Sequence, residues 1–164
     1  MEIIFSAIGK PIGKQRPRMA RRGRKTITYT PQETLQYERE IREAFLLACL
    51  KTDLPLKGLL VVDVVALFPR TKALSFQYKN GTYKHGRERI PHNVKPDADN
   101  VLKCVLDGIG EYIEGGDSRV VSARITKFYS GIDENGGTIV RIRQIESDDL
   151  TSVLDVDWAT SSID

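Results

Sequence analysis

Leu59-Leu60-Val61-Val62-Asp63-Val64-Val65-Ala66-Leu67-Phe68 is a nearly continuous apolar run, broken by Asp63 and bounded by Pro55 and Gly58 before it and Pro69 after it. Its length, its valines and its turn-forming flanks predict a mostly buried strand with Asp63 on the solvent face. Upstream, Thr30-Pro31-Gln32-Glu33 offers an N-cap, a proline at N1 and a capping-box glutamate. Tyr37, Ile41, Ala44, Phe45 and Ala48 then recur at helical spacing, which predicts a helix over residues 31–50. Before it, Glu2-Ile3-Ile4-Phe5-Ser6-Ala7-Ile8 reads as a strand ended by Gly9, Pro11 and Gly13. Downstream, Asp99 is placed to cap a second helix whose Val101, Leu102, Val105, Leu106 and Ile109 form one apolar face. Residues 120–129 and 138–145 are β-like and are joined through Asp133-Glu134-Asn135-Gly136-Gly137. The order is β-α-β-α-β-β, an α+β class with a small mixed sheet and two helices.

A chain of 164 residues can bury one ordinary core and is too short for two full domains. We expect one domain over residues 1–145 followed by a tail. The tail, 146–164, has six acidic residues and no Lys or Arg, which leaves 25 basic against 16 acidic residues, or +9, on residues 1–145. The body therefore has the charge of a polyanion-binding domain, while the tail reads as a solvated, disordered end or, alternatively, a partner-binding or self-masking segment. No apolar run approaches the roughly 18 residues of a membrane span, and Met1-Glu2-Ile3-Ile4-Phe5 lacks signal-peptide architecture. Cys49 and Cys104 lie in helix-like segments outside any CxxC, as reduced packing thiols of a cytoplasmic protein would.

Two basic stretches flank the first helix and the central strand. Lys14, Arg16, Arg18, Arg21, Arg22, Arg24 and Lys25 crowd what reads as a loop, and residues 70–95 form a second, long exposed loop without periodicity. Between the second loop and the second helix stands Lys95-Pro96-Asp97-Ala98-Asp99-Asn100-Val101-Leu102-Lys103. Pro96 disfavours the helical region at Lys95, so Asp97 and Asp99 are expected in an extended approach, pointing to the same side. Two carboxylates so placed repel unless a hard divalent cation sits between them, and Mg²⁺ fits best. Lys103, one helical turn beyond Asp99, either holds a phosphate over the helix N-terminus or makes an ordinary ion pair with Asp107. Asp117, in Gly115-Gly116-Asp117-Ser118, is a capping aspartate or a third ligand. A helix over residues 100–113 would be about 20 Å long, so Asp117 reaches the metal only if the glycine-rich stretch folds back or another subunit supplies it. Asp63 is a further acid available to such a site, and His85 and His92 read as isolated surface histidines. GxxxxGK[ST], GxSxG and HExxH are absent, which argues against a P-loop NTPase, a hydrolase elbow and a zincin.

Lys95-Pro96-Asp97-x-Asp99-Asn100-x-x-Lys103, Gly116-Asp117-Ser118-Arg119-Val120 and the Gly13-Lys14-Gln15-Arg16-Pro17-Arg18 loop together resemble the RusA family of Holliday junction resolvases, over roughly residues 1–145 and most closely its phage and prophage versions. The resemblance implies an intertwined homodimer and a Mg²⁺-dependent endodeoxyribonuclease that nicks four-way DNA junctions in symmetric pairs, without a nucleotide cofactor or a membrane. It matches Asp97 and Asp99 to the family's paired metal-binding aspartates, Lys103 to its active-site lysine and Asp117 to its third catalytic aspartate. Lys14, Arg16, Arg18, Arg21, Arg22, Arg24, Lys25 and Lys95 would bind DNA. Many members carry Asp-Asp where this chain has Gly116-Asp117, which leaves Asp117 the one candidate ligand there. Two rival readings stay open: a junction- or duplex-binding module without catalysis, and a metal-dependent phosphohydrolase of nucleotides.

Overall fold

The computed structural model describes residues 1–146 except Arg24, and at Arg22 the backbone alone. The expected disorder of the acidic tail beyond residue 146 lies outside the described residues. The chain runs β1 (Glu2–Ile8), β2 (Arg18–Arg22), β3 (Lys25–Tyr29), α1 (Gln32–Ala48), β4 (Leu59–Phe68), β5 (Ile90–Pro91), α2 (Ala98–Ile109), two short 3₁₀ turns (Gly110–Tyr112 and Gly116–Arg119), β6 (Val120–Tyr129) and β7 (Gly137–Ile145). The expected β-α-β-α-β-β order is present. Three strands, β2, β3 and β5, are additional. The stretch read as a basic loop folds into the β2–β3 hairpin, because Gly23 takes a positive φ of 65° and Thr26-Ile27-Thr28-Tyr29 is a β-prone run. The short β5 pairs with the end of β6.

Five strands form one sheet in the order β1-β7-β4-β6-β5, and β2 and β3 form a separate ribbon. β4 and β6 are parallel, with α2 in the crossover between them, while β1 and β4 flank β7 antiparallel. This places the apolar β4 run second from neither edge but in the middle of the sheet, which is why it carries so little polar sequence. Leu60, Val62 and Val64 of β4 join Val140 and Ile142 of β7 beneath Ile41 and Phe45 of α1 and Val105 and Ile109 of α2. Asp63 points to the opposite face, where Arg141 and Arg143 of β7 donate to its Oδ2 at 2.9 and 3.1 Å. It is thus an ion-paired strand residue.

Three local expectations are corrected. Helix α1 has Pro31 in place of Thr30 as its N-cap, with no side-chain cap bond, and Glu33 accepts a hydrogen bond from Gln15 Nε2. Helix α2 starts two residues earlier than expected, with Asp97 in place of Asp99 as its N-cap and Asp99 already in its first turn. His92 is buried rather than a surface histidine: its ring stacks on Phe68 at 3.8 Å and leans on Tyr129 at 4.6 Å. Cys49 and Cys104 are buried free thiols, as expected, and burial pushes the Cys104 thiol up to about 12.

Candidate active site

Asp97 has extended backbone (φ −66°, ψ 150°) and its side chain makes no cap bond, while Asp99 lies in the helix. The two therefore approach from a helix N-terminus and not from one face of an extended strand. Both are exposed. Lys103 Nζ stands 3.7 Å from Asp99 Oδ2, an i,i+4 pair in which both side chains are mostly solvated. Such a pair contributes little to stability, so its partners stay available to a ligand. The alternative pairing of Lys103 with Asp107 is not made, because Asp107 is taken by Lys14.

Lys14 was a candidate DNA contact, and the structure gives it a different place. Its Nζ bonds Glu38 of α1 at 2.6 Å and Asp107 of α2 at 2.7 Å, tying both helices to the loop after β1. Burial works against the charge, but the bonds to Asp107 and Glu38 outweigh it and hold the ammonium well above the usual lysine range. Two carboxylates thus share its charge within the fold. The same loop passes close over the carboxylate turn: the Lys14 N–H donates to Asn100 O at 2.8 Å, and a Cβ at Gly13 would stand 2.6 Å from Pro96 Cβ. Gly13 is thus required by close approach. Between this loop and the turn lies a cleft of about 430 Å³ lined by Lys10, Gln15, Glu33, Lys95, Asp97 and Asn100, among others.

The residue that sequence reasoning missed is Lys127. On β6 it shares a face with Ile125 and Tyr129, which pack into the core, so a lysine there needs polar partners of its own. It finds them in the turn that delivers Asp97, donating to Val94 O at 2.8 Å and Pro96 O at 2.6 Å. Its own carbonyl accepts from the His92 N–H at 3.0 Å. A lysine in phase with the buried positions of a strand was the available signal. Replacing Lys127 by Met should cost about 1–3 kcal/mol in urea unfolding, the worth of lost charge-assisted bonds. It should also slow DNA cleavage by roughly tenfold or more while leaving DNA binding nearly unchanged, since misplacing a reacting group costs rate before affinity.

Asp117 lies elsewhere. Leu56, just before β4, bonds the segment after α2 on both sides, through Leu56 N–H to Tyr112 O and Glu114 N–H to Leu56 O. That segment therefore sits at the start of β4, whereas Val101 at the start of α2 packs with Ala66 and Phe68 at the end of β4. The 12 residues of α2 span about 18 Å, so within one chain Asp117 is on the order of 20 Å from Asp97. Gly115 and Gly116, with φ of 82° and 72°, do turn the chain, but into β6 and not back to the carboxylates. Among the described residues of one chain, no group of three or more His, Cys, Asp or Glu side chains is placed to hold a metal ion. Asp97 and Asp99 offer the hard oxygen donors that Mg²⁺ takes, and one or two carboxylates completed by waters and substrate phosphate oxygens are its usual ligand set.

A family model described as "Endodeoxyribonuclease RusA" matches residues 9–143. The chain belongs to the RusA endodeoxyribonuclease family. A further similarity is to the "Uncharacterized protein YqaN" of Bacillus subtilis (strain 168), 28% identical over 145 residues, covering 88% of this chain and 98% of that one. RusA membership makes the chain an endodeoxyribonuclease, a hydrolase that acts on DNA.

The β2–β3 ribbon and the loop before it are strongly cationic. No acidic residue occurs between Glu2 and Glu33, and Arg16, Arg18, Arg21 and Lys25 are all exposed, as is Lys95 beside the carboxylates. The side chains of Arg22 and Arg24 lie outside the described residues. The second basic stretch spends its arginines internally: Arg70 donates to the carbonyls of Ser130, Gly86 and Glu88, and Arg87 and Arg89 pair with Asp133 and Glu134. Among the described residues no helix is long and apolar enough to cross a membrane.

Proposed function

We propose that this RusA-family endodeoxyribonuclease is a Mg²⁺-dependent enzyme that resolves four-way DNA junctions by paired symmetric nicks, as a homodimer. In this reading Asp97 and Asp99 of one copy meet Asp117 of a second copy at each site. The observation that supports it is the position of Asp97 and Asp99 at one end of α2 and of Asp117 beyond the other. A monomer with a single three-carboxylate site would need them together.

When bound, Mg²⁺ would supply a lowered pKa for the attacking water and charge neutralisation at the scissile phosphate. Asp97, Asp99 and Asp117 are the side chains that would hold it. Lys103, one turn into α2, would steady the negative charge developing on the phosphate, helped by the positive end of the helix. Lys127 and the loop at Gly13 keep the Asp97 turn in place from two sides, so that the carboxylate needs little rearrangement to act. Arg16, Arg18, Arg21, Arg22, Arg24, Lys25 and Lys95 would neutralise phosphates of the junction arms, giving affinity that falls steeply with salt and reads little sequence. A twofold axis would present two sites to two symmetry-related strands.

The test uses a synthetic four-way junction with and without Mg²⁺, and dimers mixed from Asp97→Asn and Asp117→Asn chains. Each homodimer should be inactive. The mixed dimer should regain one intact site and make single nicks at up to about half the wild-type rate, because the surviving Asp97 and Asp117 lie on different chains. No recovery with dimers shown to be mixed would mean that each site is built within one chain. Tight junction binding without Mg²⁺-dependent nicking by the wild type would defeat the nuclease mechanism altogether.

A further inference from the structure

The segment between β4 and β5 combines three properties that the cleavage mechanism does not use. It is braced, it is cationic, and it shows two aromatic rings to solvent. The bracing comes from Arg70, whose guanidinium gathers the carbonyls of Ser130 at 2.7 Å and Gly86 at 2.9 Å. Arg89 adds a two-pronged pair with Glu134, at 2.9 and 2.8 Å, and Glu134 in turn accepts from the Gly131 N–H. The Arg89 bond, reinforced by the Gly131 amide, holds the Glu134 carboxyl down at about 2. Inside the segment the chain folds into a small hairpin. Gln77 bridges Tyr83, Lys84 N–H donates to Phe76 O at 2.9 Å, and Tyr78 N–H donates to Thr82 O at 2.8 Å.

On this hairpin Phe76 is 51% and Tyr78 48% exposed, and their rings meet edge to face at 5.3 Å. No Asp or Glu occurs from residue 64 to residue 87, and Lys72, Lys79 and Lys84 make no ion pair among the described residues. The arginines are engaged in carbonyl and carboxylate contacts, which leaves the lysines as the unpaired cations of the segment among the described residues. An aromatic pair carried on the same hairpin as Lys79 and Lys84 suits a partner with a flat apolar face and surrounding negative charge. That partner is a nucleobase on a phosphate backbone. Bases stacked inside a duplex hide their faces, so the surface favours a strand whose bases are unstacked. The segment's return, β5, pairs with β6 next to Lys127, which places the hairpin on the sheet edge that leads into the Asp97 turn.

We propose that Phe76 and Tyr78 form a stacking platform for an unstacked nucleobase of the DNA substrate, at a branch point or in a single strand. This rests on the DNA-cleaving reading above. It adds to phosphate contacts a means of telling open from fully stacked DNA. Because the hairpin is already ordered by its arginine ties, stacking costs little further ordering.

The experiment measures binding of the full chain in EDTA to three labelled probes: a single-stranded 20-mer, a four-way junction carrying 2-aminopurine at the branch point, and a plain duplex. The double variant Phe76→Ala/Tyr78→Ala should bind the single strand and the junction roughly tenfold or more weakly, in line with base–aromatic stacking. Its duplex affinity should stay within about twofold and its salt slope should not change, since no charge is removed. Quenching of 2-aminopurine at the branch point should weaken with it, and Tyr78→Phe should behave as wild type. Equal losses on all three probes, or no loss on any, would overturn the platform. So would a change of oligomeric state in sedimentation, which would assign the rings to contact with a second copy. A wild type that binds none of the probes would overturn the DNA-cleaving reading as well, whereas normal wild-type binding with indifferent aromatic variants would remove the platform alone.

Discussion

Asp97→Asn is expected to lower junction cleavage by on the order of 10³-fold, equivalent to about 4 kcal/mol of transition-state stabilisation, while leaving the protein folded and DNA-bound. The side chain it replaces is exposed and makes no cap hydrogen bond, so its charge contributes at most about 1 kcal/mol to the fold, through the positive end of α2. Asparagine is moreover as good an N-cap as aspartate, so α2 should keep its start. What is lost is one of two hard anionic oxygen donors at the head of α2. Three readings decide the matter: single-turnover cleavage in Mg²⁺, gel-shift affinity in EDTA, and thermal unfolding. A melting temperature more than a few degrees lower would make Asp97 structural, and undiminished cleavage would remove it from the site. Affinity in EDTA should stay level or rise slightly, because a negative charge near phosphate has been removed.

Phe45→Ala should do the reverse. Phe45 has no solvent exposure and stands between Phe5, edge-on at 5.7 Å, and Tyr112 at 5.8 Å, where α1, β1 and the turn after α2 converge. Truncation removes the ring and leaves a cavity whose walls belong to three elements that cannot all collapse inward, so about 3–5 kcal/mol should be lost. Against a typical total of roughly 5–15 kcal/mol that is a large share, and it should lower the melting temperature by about 6–20 °C. Leu47→Ala on the same helix, where the side chain is 68% exposed, should change stability by less than about 0.5 kcal/mol. Urea unfolding at fixed protein concentration is the measurement, because dimerisation would otherwise move the midpoint. A Phe45→Ala loss no greater than that of Leu47→Ala would contradict the assigned core.

The two substitutions separate what holds the fold from what faces the substrate, and the sequence displays these two groups unequally. Periodicity located α1, α2 and β4 because their apolar faces are continuous and their flanks hold Pro and Gly. It passed over the β2–β3 ribbon because seven cations between Lys14 and Lys25 masked the β-prone run that follows Gly23. Spacing singled out Asp97 and Asp99 as a pair and left Lys103 open between a phosphate contact and an ion pair, while Asp117 entered by resemblance. Their supports were not legible there: Lys14 resembles a DNA contact in sequence, and only the convergence of Glu38 and Asp107 upon it makes it a tie between helices. His92 likewise looked like a loop residue until Phe68 and Tyr129 closed on its ring.

By itself, the sequence determined the order of the main elements, the basic body and the acid-rich motif at the head of α2, because each of these is written in neighbouring residues. Only the tertiary structure decided how far Asp117 lies from Asp97 and Asp99, since that distance depends on where the chain turns after Ile109 and on the parallel pairing of β4 with β6. It also decided which cations are spent: Lys14, Arg70, Arg87 and Arg89 on the fold, and Lys127 on the turn that carries Asp97. A charge is plain in the sequence, but its partner is fixed by contacts between residues dozens of positions apart.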